Sequence, residues 1–170
     1  MQQIRAFAGR ELKWVRPSLM SLDYELQHAE ECIGTLRFRS SWGTLATAES
    51  GDGCWTFKRV GFMQTSATIR ACGSEAEIAA FRNHAWTGGG ALELPDGREY
   101  RANSNFWMTK FGFTTAAGEP VVEFQQIGGL LKLSATVEIH PDATAIAELP
   151  WMVMLGWYIT VLQHRDAGSS

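Results

Sequence analysis

The sequence predicts a mainly β chain: a closed barrel of about twelve mostly antiparallel strands around a buried hydrophobic α-helix. Three observations predict it. Apolar and polar residues alternate with period two along most of the chain. Glycine-bearing turns interrupt the alternation at short spacing. Positions 149–162 carry no charge and are apolar on every side of a helical wheel. Successive side chains of a strand point to opposite faces, so period two marks a sheet with one face on a core and one in water.

The strands are expected at 11–16, 23–27, 32–39, 44–49, 54–60, 65–70, 76–82, 91–94, 98–102, 105–113, 120–126 and 131–140. The last is the cleanest: Leu131, Leu133, Ala135, Val137 and Ile139 alternate with Lys132, Ser134, Thr136 and Glu138. The stretch 76–81 also suits a helical turn, because Glu-Ala-Glu-Ile-Ala-Ala has high helix propensity. Turn signals fall at 49–53, 72–74, 88–90, 95–97, 117–120 and 128–129, and Asp96-Gly97 is a strong hairpin pair. Trp55, Lys58, Gly61 and Phe62 find an echo in Trp107, Lys110, Gly112 and Phe113. Two related half-sheets would produce that echo, and so would chance.

After the strands, Pro141 breaks the pattern and Asp142 or Thr144 offers a helix cap. Glu148 is placed as an acid of the first turn, Pro150 is tolerable there, and His164 and Arg165 suit the last turn. The helix is expected at about 144–164, with 166–170 a flexible tail and 1–170 a single domain whose strands run from 11 to 140. A helix apolar all round needs either a bilayer or the interior of its own protein. A span needs about 20 apolar residues, and this run is shorter, so the interior is the stronger reading. The core residues would be Trp151, Met154, Leu155, Trp157, Tyr158 and Val161. A helix with side chains is about 10–12 Å across, so the barrel must be wide, and about twelve strands permit that.

Of 170 residues, 45% are hydrophobic and 19% charged, enough for a real core. The net charge of −3 leaves no basic excess to neutralise a phosphate backbone, which argues against nucleic acid. Cys32, Cys54 and Cys72 are odd in number and form no CxxC pair, so reduced thiols are expected. Arg5, Arg10, Glu11, Lys13 and Arg16 interrupt any leader-like apolar core in 1–17. Both features predict a cytoplasmic protein.

With Trp-Thr-Phe-Lys-Arg at 55–59, Gly61-Phe62 after it, the strand rhythm and the helix at 148–164, the chain resembles the tubby C-terminal-like superfamily. That group includes the phospholipid scramblases and the plant LURP-one-related proteins. The resemblance implies a twelve-stranded barrel around a hydrophobic helix, and it extends over nearly the whole chain. What it implies for function is divided. Tubby proteins bind phosphoinositides through basic residues of the barrel exterior. Scramblases move lipids and carry cysteine-rich segments that this sequence lacks, and no acidic DxDxDG loop is present either.

Signatures of catalysis are missing. There is no GxSxG elbow, and Ser40-Ser41-Trp42-Gly43 reads as a hairpin corner. His28, His84, His140 and His164 are scattered. His28, Glu31 and Cys32 lack the repeated spacing of a zinc site. No catalytic residue, metal or cofactor is predicted. If Leu36, Phe38, Trp55, Phe57, Ile69 and Trp107 point inward, then Arg37, Arg39, Lys58, Arg70 and Lys110 point outward. These five cations are the candidates for an anion site. The reading is a non-catalytic binding module for anionic phospholipid headgroups or a protein partner, with peripheral membrane contact. The alternatives are an enzyme with a pocket at a barrel mouth and a tail-anchored membrane protein.

Overall fold

A computed structural model describes residues 1–61, 66–84, 89–105, 109–128 and 133–168. Twelve antiparallel strands close into one barrel, each paired with its neighbours in sequence and the first paired with the last. They are β1 (Leu12–Val15), β2 (Asp23–His28), β3 (Glu31–Phe38), β4 (Ala46–Ser50), β5 (Gly53–Val60) and β6 (Ser66–Ala71). β7 (Glu77–His84), β8 (Gly89–Glu93), β9 (Glu99–Ser104), β10 (Lys110–Thr115), β11 (Pro120–Gln126) and β12 (Ala135–Ile139) complete the ring. Leu12 opposite Val137 marks the closing seam.

The alternation read in sequence becomes an inside and an outside. Leu36, Phe38, Trp55, Phe57 and Ile69 are buried, and Arg37, Arg39 and Lys58 are exposed. Trp107 lies outside the described residues, as do Leu131 and Lys132 of the last expected strand. The ambiguous 76–81 stretch is strand from Glu77 onward: Ile78 is half-buried, while Ala79 and Phe81 are buried. Gly97 sits at φ +90° in the expected Asp-Gly hairpin, a conformation that glycine reaches without Cβ strain.

Helix α1 (Leu149–Gly168) runs through the barrel, and every residue from Leu149 to Leu162 is buried. Trp151, Met154, Leu155, Trp157, Tyr158 and Val161 therefore occupy the core as expected. Trp157 stacks on Trp14 of β1, with ring centroids 5.8 Å apart, and meets Tyr24 of β2 edge-on at 5.7 Å. Tyr158 stacks on Phe38 of β3 at 5.6 Å and tilts against Phe57 of β5 at 5.4 Å. Each large apolar side chain withdrawn from water contributes about 1.5–3 kcal/mol before conformational entropy is subtracted. Burial of this face on all sides replaces the tail-anchor reading. No helix among the described residues is long and apolar enough to cross a membrane.

Three local expectations are corrected. Neither Asp142 nor Thr144 caps α1. Pro141–Ala145 forms a 3-10 turn of its own, in which His140 Nδ1 accepts from Asp142 N and the Thr144 hydroxyl donates to Pro141 O. The helix also extends further than 164. Asp166, expected in a flexible tail, belongs to α1 and forms a bidentate pair with Arg59 at 2.7 and 3.1 Å. Finally, Cys54 and Cys72 form a disulfide between the ends of β5 and β6, leaving Cys32 as the free thiol. The odd count of cysteines concealed a pair that strand register brings to a Cα separation of 5.4 Å.

The sequence echo does not reflect two equivalent half-sheets. Lys58 belongs to β5 and Lys110 to β10, and in an antiparallel meander these two strands run in opposite directions.

Candidate functional site

Because every strand pairs with its sequence neighbours, the connections alternate between the two mouths of the barrel. At the near mouth α1 begins; at the far mouth it ends. The near mouth is closed by Ile4 and Phe7 of a 3-10 turn (Ile4–Phe7), held by Ile4 N donating to Asp52 Oδ2 at 2.8 Å. Beside it, buried Glu148 accepts from the Arg98 guanidinium and, at 3.2 Å, from the Tyr100 hydroxyl. Arg98 also donates to Asp96 at 2.7 Å. Burial and the adjacent Glu148 push the Tyr100 phenol up, and the two carboxylates raise the Arg98 guanidinium above its usual value. Glu148 stands at the start of α1, where the sequence places an acid, and it is also the acceptor that fastens that end of the helix to β9.

The five candidate cations separate into three groups. Cross-strand register draws one row around the outer wall: Asp23, Arg37, Thr47, Thr56, Arg70 and Glu77. Arg37 donates to Asp23 at 3.0 Å, and Arg70 lies 3.7 Å from Glu77. These two cations are thus each offset by the acid next to them in the row. Their exposed pairs contribute only about 0.2–1 kcal/mol each.

Arg39 and Lys58 lie one step nearer the far mouth. The register that sets Phe38 against Ala46, and Ala46 against Phe57, continues to place them on either side of Leu45. Arg39 N donates to Leu45 O at 3.0 Å, fixing that alignment. Two strand spacings separate the pair, about 10 Å. Both are exposed, and among the described residues neither has an ion-pair partner.

Lys110 belongs to neither group. β10 is six strands from β4 in the twelve-strand ring, on the opposite wall. There Lys110 lines an open groove of about 530 Å³ over β9–β12, floored by Gly112 and shared with Glu123 and Glu138. Those two carboxylates are cross-strand partners. With one lysine and two glutamates, the groove is unsuited to an anion.

The far mouth carries features that sequence patterning did not single out. Trp42, in the hairpin corner between β3 and β4, is 97% exposed, and Met20, between β1 and β2, is 91% exposed. Leu19, Val60 and Ile127 are also exposed there. Arg16 donates to Ser21 O at 2.9 Å with its guanidinium 5.7 Å from the Tyr24 ring centre. Arg165 covers the Phe38 ring at 4.1 Å and donates to Gly43 O at 3.1 Å. A period-two reading assigns faces of strands and is silent about residues between them, so a tryptophan at a corner passed as turn chemistry.

His28 Nδ1 lies 2.9 Å from Glu11 O, and Glu31, its cross-strand partner, accepts instead from Gln2. Among the described residues, no group of three or more His, Cys, Asp and Glu could hold a metal ion. Comparison of the chain with protein-family models, with curated proteins and with solved structures finds no match.

Proposed function

We propose that the protein is a non-catalytic binding module that engages anionic phospholipid headgroups on the β3–β5 wall. One observation carries this reading: Arg39 and Lys58 are exposed, aligned across Leu45 and not offset by a carboxylate partner among the described residues. Clustered cations near an anionic surface contribute about 1 kcal/mol each. The barrel and its central helix agree with a tubby-like ancestry, for which exterior basic residues would be the binding elements.

Anionic headgroups concentrate on cytoplasmic leaflets, which supports a cytoplasmic placement. The Cys54–Cys72 bridge argues the other way, since disulfides persist in oxidising compartments. Counting alkylatable thiols in protein trapped directly from cells decides between them: three for a reducing compartment, one for an oxidising one.

Flotation with phosphatidylcholine vesicles, with and without phosphatidylserine at low salt, tests the binding. Phosphatidylserine should raise the bound fraction, and R39Q/K58Q should lower affinity by about 30-fold. Equal recovery with both vesicles would overturn the proposal.

A further inference from the structure

The large apolar side chains left exposed among the described residues are Met1, Leu19, Met20, Trp42, Val60 and Ile127. All but Met1 lie at the far mouth. They come from four places in the chain: the β1–β2 connection, the β3–β4 connection, the end of β5 and the end of β11. β5 and β11 stand six strands apart in the ring, on opposite sides of the barrel. The apolar residues therefore follow a rim rather than line a groove. A single helix or extended peptide would touch one arc of such a rim, whereas a flat surface meets all of it.

Charge divides the molecule in the same sense. Connections 16–22 and 39–45 at the far mouth contain no Asp or Glu, and they carry Arg16 and Arg39. The acid of α1 at that end, Asp166, is held by Arg59. At the near mouth every connection bears an acid: Glu30, Asp52, Glu75, Asp96, Glu119 and Asp142. One end is thus apolar with cations behind it. The other bears an acid in each connection, with Asp52 and Asp96 beside Arg5 and Arg98.

We infer that the far mouth is the end that enters a bilayer, with Leu19, Met20 and Trp42 reaching the headgroup–acyl boundary while Arg39 and Lys58 contact anionic headgroups above them. This deepens the function proposed above and rests on it for the role of the two cations. The occupant is a lipid surface because its chemistry matches both components: hydrocarbon for the tips and negative charge for the collar. Tryptophan is favoured at that boundary, where its ring is apolar and its N–H stays hydrated. The axis of α1 would stand steeply to the membrane, and the acidic mouth would face water.

The test places an environment-sensitive nitrobenzoxadiazole dye on Met20→Cys or, at the opposite mouth, on Glu75→Cys. Both are made with Cys32→Ser and the Cys54–Cys72 bridge intact. Vesicles of phosphatidylcholine and phosphatidylserine should shift emission to the blue at position 20 and leave position 75 unchanged. The exposed triple variant L19S/M20S/W42S should keep its circular dichroism and lose about 100-fold in vesicle partitioning. If the protein binds anionic vesicles but position 20 stays silent and the triple variant binds normally, insertion is overturned and headgroup binding survives. If position 20 responds equally to pure phosphatidylcholine, insertion holds and the anionic reading fails. Failure to bind either vesicle removes both. A blue shift without vesicles that grows with protein concentration would mean that this end pairs with a second copy, and would overturn insertion.

Discussion

Gly156 of α1 and Phe124 of β11 are in contact so close that a Cβ at position 156 would overlap the phenylalanine ring. The helix is seated against this wall by the absence of a side chain. Alanine at 156 gains about 1 kcal/mol of helix propensity, but forced overlap in a packed core costs about 1–3 kcal/mol and sometimes more. G156A should therefore destabilise, by up to about 2 kcal/mol net. Truncating the ring should reverse the effect, so that G156A improves stability in an F124L background. Urea unfolding of the four proteins in this cycle checks it. Additive effects would mean that the ring and helix do not confront each other.

Tyr158 gives the core a sensitivity to alkali. Its hydroxyl donates to Thr44 O at 2.7 Å. Burial pushes the phenol up to about 12, against the opposing effects of the Thr44 side chain and nearby arginines. In the unfolded chain the phenol ionises near its ordinary value of 10.0. Between these pH values the unfolded state releases a proton that the folded state retains. Stability is therefore full below pH 10 and declines as pH climbs toward 12, by roughly 2–3 kcal/mol from this residue. Tyr24 and Tyr100 are shifted in the same direction. Y158F should be less stable at neutral pH by about 1 kcal/mol for the lost hydrogen bond, and should decline less steeply above pH 10. Thermal melts from pH 8 to 12 measure both.

The Cys54–Cys72 bridge closes a loop with a sequence separation of 18. A crosslink of that size contributes about 3 kcal/mol by restricting the unfolded chain. C54S/C72S should shift the urea midpoint down accordingly, and reduction should do the same to the native protein. Unreduced denatured protein should take up one equivalent of iodoacetamide, at Cys32. Three equivalents would mean that the bridge does not form.

Arg59 and Asp166 join the last turn of α1 to β5 at the far mouth. Asp166 is more than half exposed, so D166N should cost less than about 1 kcal/mol globally. Local effects should exceed the global one. Amide hydrogen exchange at 164–168 should accelerate while that of 152–160 stays unchanged. Equal acceleration along the helix would make the pair a determinant of the whole core.

The sequence carried the walls and the filling more clearly than the contacts between them. Alternation located the twelve strands because a half-buried strand must alternate, and the uncharged 149–162 run announced an interior helix because no amphipathic surface could hold it. What was not legible depends on register. Arg37 and Arg70 look equivalent to Arg39 and Lys58 along their own strands. Only pairing across strands sets Asp23 and Glu77 beside the first two and Leu45 between the others. The same holds for Cys54 and Cys72, and for Glu148, whose partners Arg98 and Tyr100 are about fifty positions away. The tips at Leu19, Met20 and Trp42 were hidden for another reason: turn chemistry accounts for a corner without asking what its side chain touches.

Since α1 follows every strand in chain order, protein synthesis produces the wall before its filling. A ribosome-bound chain that has emitted all twelve strands still lacks the tryptophans, methionines and leucines against which their inner faces settle. Domain formation must then await release of the helical segment, and until that moment a row of apolar strands is open to chaperones and to other nascent chains. A nonsense codon ahead of Leu149 would leave an empty sleeve, and so act as a loss of the whole fold rather than of one element.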